Sequence, residues 1–189
     1  MQVLIAGHSF VRRLAFDVRI KAVKIAEPHE GVELVGKGGA TIGPQKPLGG
    51  EVHSLLRRQP SCKLLILDLG SNDLDTTRHP HLDVQLLAIR YLQLGDEFAK
   101  AYKITVVLCL PIPRDEKQFP GSFQTTSKFN DAMRLFQAHF PQIKLWAHRG
   151  LFKKDARFLD RHGVHLNAMG SIRYYHSLKA AVRYHMSRV

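Results

Sequence analysis

The chain has 189 residues and a mass of 21.4 kDa, with 44% hydrophobic and 23% charged residues, proportions that suit one globular domain and exclude a disordered or collagen-like chain. No apolar run approaches the roughly 18–20 residues of a membrane-spanning helix, and residues 1–6 are too short and uncharged for a secretory signal. Lys and Arg total 28 against 16 Asp and Glu, so the net charge of +12 and a pI near 10.0 call for an acidic partner.

In chain order, residues 3–6 are an unbroken apolar run ended by Gly7 and read as a strand, with a helix opening at Ser9. Residues 18–25 are ambiguous, because Val18, Ile20 and Ala22 alternate as in a strand although the preceding segment has a helical pattern. Residues 32–35 and 64–69 read as further strands. Residues 82–102 carry Leu82, Leu86, Leu87, Ile89, Leu92, Leu94 and Phe98 at helical spacing. A strand at 104–110 is followed by a Pro- and charge-rich stretch, 111–121, that reads as a loop over the carboxyl edge of a sheet. A helix at 128–140, with Phe129, Met133, Leu135 and Phe136, leads to a strand at 143–146. The final helix begins after Asn167, with Ile172, Tyr175, Leu178, Ala181 and Val182 as its apolar stripe and Tyr175 pointing into the core.

Continuous apolar strands alternating with amphipathic helices specify an α/β protein with a parallel sheet covered on both faces and right-handed crossovers. No composition shift or repeat divides the chain, so 1–189 reads as one domain, cut from a longer protein because the first strand starts at Gln2. Cys62 and Cys109 lie beside or within apolar runs and read as two buried, reduced thiols, with a disulfide as the alternative. The thiols and the missing secretory signal favour an intracellular setting, cytoplasmic or nuclear. From Arg149 onward nine Lys and Arg face only Asp155 and Asp160, which makes the last fifth of the chain either a solvated basic face or a phosphate-binding surface.

In an open α/β sheet, ligands bind outside the carboxyl ends of the strands. The loops there contain Gly7-His8-Ser9-Phe10, Gly36-Lys37-Gly38-Gly39-Ala40-Thr41, Gly70-Ser71-Asn72-Asp73 and Asp160-Arg161-His162-Gly163-Val164-His165. Serine becomes a nucleophile when a histidine accepts its proton, and the resulting oxyanion needs donors aimed at it beforehand. Ser9 can attack, His165 can act as base, and the Ser9 N–H, the Gly39 N–H and the Asn72 amide can form the oxyanion hole. Each residue also has a structural reading: Ser9 as a helix cap, Gly39 as a positive-φ turn, Asn72 as a cap or Asx-turn. No G-x-x-x-x-G-K-[ST], G-x-G-x-x-G or G-x-S-x-G pattern is met. His79-Pro80-His81 and His162-x-x-His165 lack Cys or carboxylate partners at metal-ligand spacing, so neither a metal nor a cofactor is expected.

Ser9 in GHSF, Gly39 in GKGGAT, Asn72 in GSND and His165 in HGVHLN, in this order, resemble the four blocks of the SGNH or GDSL-like hydrolases. The resemblance covers nearly the whole chain. It implies a flavodoxin-like three-layer α/β/α fold with strand order 2-1-3-4-5 and cofactor-free esterase, lipase or acetylhydrolase activity on acyl esters. The wording Ser-Phe-Val-Arg-Arg-Leu and Gly-Gly-Ala-Thr is similar to SGNH-type domains of animal transposable-element proteins. Two positions depart from the family pattern. His8 stands where the first block has Asp, and His162 stands where the fourth block, Asp-x-x-His, has the carboxylate that orients the base. The expectation is a Ser-His dyad in which a main-chain carbonyl near position 162 orients His165, with Asp160 as the alternative orienting group. His8 and His162 either line the site or lie on the surface. The alternative function is a catalytically weakened scaffold that binds nucleic acid or another polyanion through its basic C-terminal third.

Overall fold

The computed structural model describes residues 2–19, 31–152 and 156–188. Five strands, β1 (Val3–Gly7), β2 (Val32–Gly36), β3 (Leu64–Asp68), β4 (Thr105–Leu110) and β5 (Ile143–Ala147), form one parallel sheet in the order β2-β1-β3-β4-β5. Five helices connect or follow them: α1 (Ser9–Arg19), α2 (Gly49–Arg58), α3 (Val84–Tyr102), α4 (Ser122–Phe136) and α5 (Ala168–Met186). The expected fold class and strand order are both present.

Side chains alternate across a strand, so each buried strand feeds two cores. Leu4, Ala6, Leu65, Leu67, Val106 and Leu108 face α2, α3 and α4, where Val52, Leu56, Leu92, Phe98 and Phe129 complete one cluster. Val3, Ile5, Leu64, Ile66, Val107 and Cys109 face α1 and α5, where Val11, Leu14, Tyr174, Leu178 and Val182 complete the other. Gly36 lets α1 lie directly on β2, since a Cβ there would fall 2.1 Å from Arg12 N.

Several local expectations change. α2 has no counterpart in the sequence reading. The helix expected at 128–140 begins at Ser122 and gives way to a 3-10 turn at Gln137–His139, so it takes the end of the expected 111–121 loop as its entry. In α5 the buried tyrosine is Tyr174, not Tyr175, because 174, 178, 181, 182 and 185 share one helical face; Ile172 lies off that face and is 57% exposed. α1 is helical through Arg19, and the rest of the ambiguous 18–25 stretch lies outside the described residues, as do Lys153, Lys154 and Asp155. Cys62 and Cys109 are free and buried. Among the described residues, no helix is long and apolar enough to cross a membrane.

Candidate active site

Strand order brings the four expected loops to one edge. β1 ends at Gly7, and the His8 carbonyl accepts the Arg12 N–H that opens α1. Ser9 therefore occupies the first helical position and not the cap. Its N–H belongs to the first turn, where amides lack intrahelical acceptors and the helix dipole favours negative charge. Ser9 Oγ lies 3.2 Å from His165 Nδ1, across 156 residues of sequence. With the proton on Nε2, the Nδ1 lone pair accepts the serine hydroxyl.

His165 rides on the loop between β5 and α5. Asp160 Oδ1 accepts the main-chain N–H of His162 at 3.1 Å and of His165 at 3.4 Å, and Asp160 N–H donates to the His165 carbonyl at 2.6 Å. Asn167 closes the loop by donating to the Arg157 and Leu159 carbonyls and capping α5 at the Gly170 N–H. Asp160 thus holds the backbone of the base loop and not the imidazole. Among the described residues, neither a carboxylate nor the expected main-chain carbonyl is hydrogen-bonded to the ring's other nitrogen. Burial raises the Asp160 carboxyl, but the N–H groups of His165, His162 and Val164 bring it below its usual range. Burial, then the charge of Arg13, with His8 and Arg114, hold His165 below its ordinary value against the pull of Asp160, so the imidazole is neutral at pH 7. His162 is exposed and accepts the Arg161 Nε–H at 3.1 Å, and among the described residues its ring is hydrogen-bonded to neither Ser9 nor His165.

The opposite side is cross-braced. Gly39 has φ +76°, a conformation glycine adopts freely, in a turn closed by Ala40 N–H to the Lys37 carbonyl. Asn72 Nδ2 donates to the Ala40 carbonyl at 2.9 Å, which leaves its second amide hydrogen for a substrate. Its Oδ1 accepts from Arg114 at 3.2 Å. A guanidinium can only donate, so Arg114 fixes which end of the amide faces the site. Arg114 is in turn held by Asp75 Oδ2 at 2.6 Å and lies over the Phe119 ring. Burial raises Asp75, but the Thr77 hydroxyl and the Arg114 guanidinium outweigh it and the carboxyl stays below its usual range. Asp73 accepts the Ile42 and Gly43 N–H groups, both at 3.0 Å, and so ties the second loop to the third.

Sequence reasoning missed Arg114, Asp75 and Asp73, whose bonds tie these loops together. The signal available was the 111–121 loop, whose expected place over the carboxyl edge is where Arg114 works. His8 is 2% exposed, with its Nε2 3.6 Å from Asp68 Oδ1, so it is not a surface residue.

No protein-family model matches the chain, and no curated protein is similar to it. Solved structures are. A carbohydrate acetylesterase from Sinorhizobium meliloti superposes with a TM-score of 0.73 at 15% identity, covering 97% of this chain and 99% of its own. An aryl esterase from M. smegmatis gives 0.70 at 16% identity, with coverage of 97% and 99%. A member of the lipolytic G-D-S-L family from Veillonella parvula gives 0.66 at 16% identity, with both chains covered completely. At such identities the likeness establishes a shared fold, the three-layer fold of the SGNH and GDSL hydrolases.

Proposed function

We propose that the protein is a serine esterase acting on short, acetyl-like acyl esters. The observation that carries this reading is the 3.2 Å approach of Ser9 Oγ to a neutral His165 at the edge where the Asn72 amide is braced. Ser9 Oγ attacks the ester carbonyl carbon while His165 Nδ1 takes its proton. The carbonyl oxygen becomes an oxyanion that accepts from the Ser9 N–H, the Gly39 N–H and the free Asn72 amide hydrogen. Collapse expels the alcohol, which takes the proton from His165, and leaves an acyl-serine. Water, deprotonated by the same imidazole, then releases the acid and restores Ser9. The site works as a dyad, and turnover is low because no carboxylate among the described residues is hydrogen-bonded to the His165 ring. The esterase names borne by the similar folds agree in reaction class.

Hydrolysis of short p-nitrophenyl esters by wild type and Ser9→Ala tests the reading. Loss of turnover by about a thousandfold or more in the variant supports it. Equal rates overturn it.

A second reading rests on a separate observation. An open groove of about 1050 Å³ between β5 and α5 is lined by Arg134, Lys144, Arg149 and Arg173 together with Trp146 and Tyr184. Cations flanking aromatic faces suit single-stranded nucleic acid, held by phosphates and stacking. A salt titration with single-stranded RNA or DNA tests it: binding that weakens steeply with salt and is reduced in Trp146→Ala supports it, and no binding at low ionic strength rejects it.

A further inference from the structure

The carboxyl ends of four strands carry four buried groups that make no bond or proton transfer in the proposed esterase chemistry. His8 follows β1, Asp68 ends β3, Cys109 lies in β4 and His148 follows β5. Their exposures are 2%, 2%, 0% and 4%. An Asp68 carboxylate oxygen, Cys109 Sγ and one ring nitrogen of His148 all lie within 4.8 Å of one another. His8 Nε2 lies 3.6 Å from Asp68 Oδ1. Both His8 Nε2 and His148 Nε2 are buried without a hydrogen-bond partner. His148 Nε2 has no partner at all and His8 Nε2 has only Asp68, at more than hydrogen-bond distance, and buried nitrogens so poorly satisfied are costly in a core.

We propose that His8, Asp68, Cys109 and His148 bind one Zn²⁺ as a closed, four-ligand structural site under the nucleophile. Two imidazoles, one thiolate and one carboxylate form a donor set that favours zinc over the harder magnesium and calcium ions. Ligands about 2.0–2.3 Å from zinc in a tetrahedron stand roughly 3.3–3.8 Å apart. The His8–Asp68 spacing is already in that range, the cluster of Asp68, Cys109 and His148 closes by about an ångström, and His8, which stands outside that three-way cluster, turns in toward it on binding. Charge balances as well, since thiolate and carboxylate neutralise the dication.

The surroundings provide the outer contacts that orient metal ligands. Tyr174 Oη–H donates to Asp68 Oδ2 at 2.5 Å, leaving Oδ1 toward His8. His148 Nδ1 meets Ser177 Oγ at 3.0 Å, and that hydroxyl also accepts the Trp146 Nε1–H at 3.0 Å. With its ring proton on Nδ1 and donated to Ser177, His148 presents its Nε2 lone pair to the metal. The Phe10 N–H approaches His8 Nδ1 at 3.5 Å, too long to dictate the tautomer of that ring. Burial pushes the Cys109 thiol well above its usual range, so a thiolate there requires a bound cation. Binding expels the thiol proton to solvent as the sulfur–zinc bond forms. The site holds and does not react: all four positions are protein ligands, leaving none for water. Because His8 is the residue before Ser9, the metal would fix the start of α1.

Purified protein exposed to Zn²⁺ and then dialysed is assayed for bound metal, and the Co²⁺-substituted protein is examined by absorption spectroscopy. The expected result is about one zinc per chain, and for cobalt a thiolate charge-transfer band with tetrahedral d–d bands. Cys109→Ser removes the charge-transfer band while Cys62→Ser keeps it. Folded wild-type protein that retains less than about a tenth of an equivalent of zinc and shows no thiolate–cobalt band overturns the proposal, leaving a metal-free His8–Asp68 pair. So does a band that survives in Cys109→Ser. Metal content is read without substrate, so this result is independent of the esterase assay.

Discussion

The two sides of the candidate active site differ in how their side chains are held. On the oxyanion side, Asn72, Asp73, Asp75 and Arg114 link three loops, and each functional atom is oriented by a partner that is itself oriented. On the base side, Asp160 and Asn167 pin the backbone, while the His165 ring meets Ser9 and has no orienting partner among the described residues. Preorganised donors contribute fully at the moment charge develops. A loosely held base contributes only for the fraction of time its lone pair faces the serine. On the proposed esterase reading, oxyanion stabilisation is therefore the developed half of the site, and proton transfer is the half with room to improve.

The comparison makes ordered predictions. Beyond the loss in Ser9→Ala, Asn72→Ala should lower kcat by about 10²–10³ with little change in KM, as removal of one oxyanion donor does. Steady-state kinetics on a p-nitrophenyl ester checks this, and a loss under threefold would mean that the braced side is idle. Arg114→Ala comes next. It frees the Asn72 amide and leaves Asp75 without its guanidinium, so kcat should fall about tenfold and stability by about 1–3 kcal/mol in urea unfolding. Arg114 also helps to hold His165 down, so the same variant should move the acid limb of kcat/KM to higher pH, a shift that a merely structural role would not produce.

In wild type that limb should lie below the ordinary histidine value of about 6.5, with the rate rising as pH increases through it and flat by pH 7. A midpoint above 7 would contradict the position of His165 among Arg13, His8 and Arg114. The smallest effect is a gain. His162→Asp places a carboxylate at the spacing of the family's fourth block and should raise kcat severalfold. No gain, in protein with an unchanged circular dichroism spectrum, would show that ring orientation does not limit the rate.

Much of this was legible in the sequence because parallel strands buried on both faces are continuous apolar runs, and 64–69 or 104–110 can hardly be anything else. The four loops followed from the strands. α2 was not legible: it opens on Gly49-Gly50, and Val52, Leu55 and Leu56 are too few among Glu51, His53, Arg57 and Arg58 to declare a period. Tyr174 and Tyr175 are adjacent, so which is buried depends on helical phase, which only the packing against β1 and β3 decides. Bonds such as Arg114 to Asn72, or the meeting of His8, Asp68, Cys109 and His148, depend on which strands are neighbours. No local spacing encodes them.

The position of β1 also has a consequence for how the chain must assemble. The first strand of this domain in chain order lies inside the sheet, between β2 and a β3 that begins about sixty residues later. Until Leu64–Asp68 has been made, a nascent chain carries a wholly apolar strand with one bonding edge open to any neighbour. Fragments ending before β3 should therefore be sticky and not native-like, and the protein should acquire structure late and cooperatively, with its earliest segment among the last to be sealed.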